Sequence, residues 1–160
     1  MKQLQTKKGF TIIEVVLVLA IAALIFLMVF IALPALQRSQ RDTQRRHDLD
    51  RVVSQITSYQ TNNRNKLPGT DKTAYNADFK ANYMKSGGDL FQDPDGTEYS
   101  FENGPIPTGG SGTYDNTKDK IYINAGAVCD GENVTSNDKG ASKVAFQMRM
   151  EGGGVACVNN

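Results

Sequence analysis

Residues 15–33 carry no polar side chain, and the apolar run reaches back to Gly9 and on to Leu36 with only Thr11, Glu14 and Pro34 breaking its character. About 19 residues at ~1.5 Å rise make roughly 28 Å of helix, close to the ~30 Å hydrocarbon thickness of a bilayer. The pattern then changes abruptly. Residues 37–48 hold almost nothing apolar, and beyond them Leu49, Val52, Val53, Ile56 and Tyr59 recur at three- and four-residue spacing. That is an amphipathic helix with one buried stripe. Asn62, Asn63, Arg64 and Asn65, followed by Pro68 and Gly69, end it. One helix is therefore expected from Phe10 to about Asn63, with Pro34 either kinking it or melting it locally.

The remainder alternates between turn chemistry and strand patterns. Tyr75, Phe79 and Tyr83, four apart, predict a short helix that Gly87 and Gly88 break. Asp93, Pro94, Asp95 and Gly96 read as a turn leading into a strand at 98–101. Residues 120–124 alternate as a half-buried strand does. Residues 143–150 do so more cleanly, with Val144, Phe146, Met148 and Met150 on one face. Three glycines, 152–154, turn the chain into a last strand at 155–158. The expected class is α+β: a long N-terminal helix, partly transmembrane, packed on a small antiparallel sheet of three or four strands.

Composition narrows the possible chemistry. The chain has 160 residues, room for one modest domain beside the anchor, and 18 basic against 17 acidic residues give a formal charge of +1. Bulk attraction to nucleic acid is not indicated. Arg38, Arg41, Arg45 and Arg46 crowd one helical stretch, but no aromatic residue interleaves them for stacking on single strands. They read as a solvated stretch with some charges paired to aspartates or neighbouring subunits. Asp89, Asp93, Asp95 and Glu98 are candidate calcium ligands, but they lack helix-loop-helix spacing, and a plain turn is the preferred reading. His47 has no visible catalytic or metal partner. The glycine-rich stretch 105–112 lacks the Gly-Lys-Ser/Thr ending of a phosphate-binding loop, and Asn133-Val134-Thr135 is formally a glycosylation sequon. No catalytic constellation is present, so neither an enzyme nor a cofactor is expected.

Lys7-Lys8-Gly9-Phe10-Thr11-Ile12-Ile13-Glu14 resembles the class III signal of type IV pilins and their pseudopilin relatives. Ordinary secretory signals are cut after their apolar segment, not before it. The resemblance implies cleavage between Gly9 and Phe10 by a prepilin peptidase that then methylates the new Phe10 terminus. Residues 1–9 would be leader, 10–36 the transmembrane and filament-core helix, 37–65 its amphipathic continuation and 66–160 a globular head. Loss of Lys2, Lys7 and Lys8 would leave 15 basic against 17 acidic side chains.

A carboxylic acid in a membrane segment costs on the order of 2.5–3.5 kcal/mol. Glu14 is therefore expected to pair with the Phe10 ammonium, in the same helix or on a neighbouring subunit during assembly. The competing reading is a Glu favoured by the helix dipole and reaching for the interface. Cys129 and Cys157, an even pair on an exported domain, suggest one disulfide, and some pilins close a C-terminal loop this way. The five arginines at 38, 41, 45, 46 and 51 outnumber the leader lysines. The positive-inside count alone would thus place the C-terminus in the cytoplasm; leader and cysteines favour the head outside.

The function implied is a structural subunit of a type IV pilus serving attachment, twitching motility or DNA uptake. Its partners would be copies of itself and minor pilins, the peptidase and methyltransferase, the assembly platform and its ATPases, and the membrane before assembly. A pseudopilin of a secretion or competence apparatus is the nearest alternative. A signal-anchored, single-span binding protein that keeps residues 1–9 is the alternative of another class.

Overall fold

The computed structural model describes residues 9–88, 90–106, 118–135 and 139–160. Helix α1 runs Ile12–Asn62 and is unbroken at Pro34. The chain divides into two compact units, Met1–Gln37 and Arg38–Asn160. In the first, none of the described side chains is buried: Leu24 is 67% exposed and Phe30 75%. Apolar exposure on this scale has no place in water and marks a membrane or protein contact.

In the second unit α1 buries Arg45, Leu49, Val52, Ile56 and Gln60, with Val53 and Tyr59 packed beside them. The stripe is the one the spacing predicts, extended at each end by a polar residue. Arg64 and Asn65 take left-handed backbone conformations (φ 54° and 62°), and Asn65 N–H donates to the Gln60 carbonyl at 2.8 Å. This closes the helix where the asparagine-rich run indicates.

Helix α2 (Lys72–Ala74), capped by Asp71, runs straight into a π-helical stretch, Tyr75–Met84. The predicted helix is present but more widely wound, with Lys85 N–H reaching the Lys80 carbonyl five residues back. The widening seats Tyr75, Phe79 and Met84 in the core and leaves Tyr83 half-buried.

Among the described residues six strands follow: β1 (Ser100–Asn103), β2 (Lys120–Ala125), β3 (Cys129–Asp130), β4 (Asn133–Val134), β5 (Val144–Arg149) and β6 (Val155–Asn159). The main sheet has the order β1-β2-β5-β6, and β3 and β4 form a separate hairpin. The antiparallel pairs are β2–β5 (Ile123 opposite Phe146) and β5–β6 (Gln147 opposite Cys157). The expectation of a wholly antiparallel sheet is corrected at one pairing, because β1 runs parallel to β2 with Phe101 opposite Ile121. Parallel neighbours need a connection of about a dozen residues or more, and residues 104–119 supply it. The sheet is mixed and the class is α+β.

Tyr75, Phe79, Phe91, Phe101 and Phe146 fill the space between helix and sheet, mostly edge-on or tilted, with neighbouring centroids about 6 Å apart. Val144, Phe146, Met148 and Met150 lie in this core as their alternation predicts, but Ala145 and Gln147 of the opposite face are buried too. At the edge of β1 away from β2, the Asn76 side chain pairs with both backbone groups of Phe101. Its Nδ2 donates to the carbonyl at 2.8 Å and its Oδ1 accepts from N–H at 2.9 Å. A side-chain amide thus stands where another strand would bind.

Candidate functional site

At the start of α1, Gly9, Phe10 and Thr11 are non-helical and Ile12 is the first helical residue. Thr11 is the N-cap. Its carbonyl accepts from Val15 N–H at 3.3 Å and its Oγ1 from Glu14 N–H at 3.4 Å. Glu14 answers: its Oε2 accepts from Thr11 N–H at 2.8 Å and from the Thr11 hydroxyl at 2.7 Å. This reciprocal pair is a capping box. The Thr-x-x-Glu sequence before an apolar run was the signal that could have revealed it, and reasoning about Glu14 alone passed over it. The Phe10 nitrogen of this chain is a peptide amide, not an ammonium, and the Glu14 carboxylate is held by Thr11.

The arginine-rich stretch is less solvated than its composition suggests. Arg45 is 1% exposed and forks onto Asp93, with Nε to Oδ2 at 2.6 Å and Nη2 to Oδ1 at 2.9 Å. Its Nη1 reaches Asp42 at 2.9 Å and Glu151 at 3.4 Å. Arg41 grips Glu151 through both carboxylate oxygens, at 2.7 and 2.5 Å. Asp42 in turn accepts the N–H groups of Glu151 and Gly152. Residues 41–45 of α1 thereby hold both the β5–β6 turn and the Asp93 turn. The sequence did carry a sign of this: Arg45 lies four residues before Leu49, on the buried face. Arg46 and His47 are exposed.

The electrostatics follow from these contacts. Hydrogen bonds from Arg41 hold the Glu151 carboxyl below its ordinary range. Burial pushes Asp48 up, against the opposing hydrogen bond from the Tyr99 hydroxyl at 3.0 Å. The carboxylates considered for calcium are otherwise engaged: Asp93 with Arg45, Asp95 with Lys118, and Glu98 with Lys80 and Lys85 at 2.6 Å each. Lys80 and Lys85 push the Glu98 carboxyl down to about 2. Asp93 and Asp95 form the turn, with Gly96 N–H on the Asp93 carbonyl and Gly96 at φ 92°. Asp89 lies outside the described residues, as do residues 1–8 and residues 107–112 of the glycine-rich stretch. Among the described residues no group of His, Cys, Asp or Glu is placed to hold a metal ion.

Cys129 and Cys157 are bridged, with Cα atoms 5.8 Å apart and a sequence separation of 28. Cys129 N–H also donates to Asn159 Oδ1 at 3.0 Å. The bridge fastens the β3–β4 hairpin to β6. On the loop-closure model it stabilises by roughly 3–4 kcal/mol.

No curated protein and no solved structure matches the chain. One family model does, the prokaryotic N-terminal methylation motif, over residues 4–30. Those residues span the basic stretch, the Gly9-Phe10 bond, the capping box and most of the exposed apolar helix, and in them the chain is similar to the class III signal peptide of type IV pilin-like precursors.

Proposed function

We propose that the chain is the precursor of a structural filament subunit of the type IV pilus class, with no reaction of its own. The observation that carries this reading is the apolar first half of α1, none of it buried and most of it lying within a methylation motif. Cleavage between Gly9 and Phe10 leaves this helix on the mature protein with an ammonium at its tip. The helix waits in the bilayer and then enters the core of a polymer. There Glu14 and the Phe10 ammonium of a neighbour neutralise each other and set the register. The disulfide-clamped second unit lies at the filament surface, outside the cell, and partner ATPases supply the force.

Attachment, motility and DNA uptake are the tasks open to such a filament. A pseudopilin would share every step but form a short polymer, so filament length separates the two. The experiment is Glu14→Ala in cells carrying the assembly machinery. Loss of sheared surface filaments, with the protein still present in the membrane, supports the pairing. An unchanged filament yield would remove it.

A further inference from the structure

The methylation motif accounts for the cut between Gly9 and Phe10 but assigns no role to Thr11. We propose that Thr11 is a positioning residue for this cleavage: its capping box stops α1 at Ile12 and keeps the scissile bond out of the helix. The inference rests on reading the chain as a filament-subunit precursor.

In the hydrolysis, water adds to the Gly9 carbonyl carbon and the bond to the Phe10 nitrogen breaks. Gly9 leaves as the leader's carboxylate, and both protons of the water end on the Phe10 nitrogen, which becomes an ammonium. A peptidase must reach that carbonyl from one side and place its own hydrogen bonds on the adjoining backbone. Helical backbone refuses both, because its amide and carbonyl groups are already paired and the next turn covers them.

Here the first helical hydrogen bond ends on the Thr11 carbonyl, one residue past Phe10. Phe10 is 89% exposed, and a Cβ added at Gly9 would meet no atom within 4 Å. The bond is open on every side that the described residues define. Upstream, the next residues suited to N-capping are Gly9 itself and Thr6. Starting the helix at either would tie up the Gly9 carbonyl, since the N-cap carbonyl already accepts an intrahelical bond. Removing the Thr11 cap therefore shifts population toward a helix that hides the scissile bond. The peptidase then pays through the fraction of competent substrate, in KM and not in kcat.

The test is cleavage of the full-length precursor in phospholipid vesicles by a purified class III signal peptidase. Four chains are compared: wild type, Thr11→Val, Thr11→Ser and Glu14→Gln. Amide hydrogen exchange is followed at Ile13, whose N–H becomes the donor to the Gly9 carbonyl when the helix starts at either upstream position. Thr11→Val should raise KM by up to about fivefold, the factor one N-cap is worth, leave kcat unchanged and protect the Ile13 amide. Thr11→Ser, which caps equally well, should restore wild-type values. Glu14→Gln keeps an acceptor for the Thr11 N–H and should be cut within about twofold of wild type, whatever it does to assembly. Equal KM for Thr11→Val and wild type overturns the inference. So does a serine variant as slow as the valine one, since the peptidase would then be reading the threonine methyl group. A wild-type chain left uncut would instead overturn the precursor reading beneath it.

Discussion

Arg45 shows how one residue can fasten separate parts of a fold. It is a buried cation whose fork is matched to Asp93 and whose third nitrogen meets Asp42 and Glu151. Removing one partner of a buried pair strands the other, at a cost of about 3–5 kcal/mol. Arg45→Ala should lower the unfolding free energy of the full chain in detergent by that amount in a urea titration. Arg45→Met combined with Asp93→Leu should recover most of it, because neither charge is then left alone. A single variant as stable as wild type would show that the network is ornamental.

The carboxylates near it fix the sign of the acid response. Folding lowers the Glu151 and Glu98 carboxyls below their unfolded values. Each therefore adds stability above the ordinary carboxylate range and loses it as pH falls through its folded value, about 2 for Glu98. Asp48 works the other way, since burial raises it. Unfolding followed from pH 7 downward should show stability falling below about pH 5, and Glu151→Gln should flatten part of that fall. A Glu151→Gln profile parallel to wild type would contradict the assignment.

At the scale of elements, what the sequence disclosed depended on whether the cause was local. The stripe from Leu49 to Tyr59 announces its helix because one element's periodicity decides which face is buried. Residues 144–149 announce a strand for the same reason. The parallel placing of β1 beside β2 depends on where a long connection lands, and no period records that. The π-helical winding at Tyr75–Met84 depends on which of Tyr83 and Met84 fits a core built by other elements. Arg45 escaped because an arginine in a charged run looks solvated until Asp93 and Glu151 arrive from far along the chain. Thr11 was legible, but only to a search for paired caps and not for lone charges.

The edge of β1 offers a test at this scale. Asn76→Ala leaves both backbone groups of Phe101 without the side-chain amide that satisfies them. The cost should be about 1–3 kcal/mol, read from the same urea titration, with a rise in concentration-dependent association as the edge opens. Asn76→Ala matching wild type in both respects would show that the amide does not guard the edge.

For the whole molecule, two physically different halves have to be reconciled: an apolar helix that water does not tolerate, and a cross-braced α+β unit closed by a disulfide. In the function proposed, a membrane would satisfy the first before assembly and a polymer core afterwards, and a signal cut ahead of the apolar run would let one helix serve both environments in turn. The central claim is therefore that the chain is cut at Gly9–Phe10, methylated and polymerised. The most direct measurement is mass spectrometry of the N-terminus of this protein taken from filaments sheared off the cell surface. The account predicts a chain beginning at Phe10 and carrying one methyl group. Protein found only in the membrane and still beginning at Met1 would contradict it and leave a single-span anchored binding protein in its place.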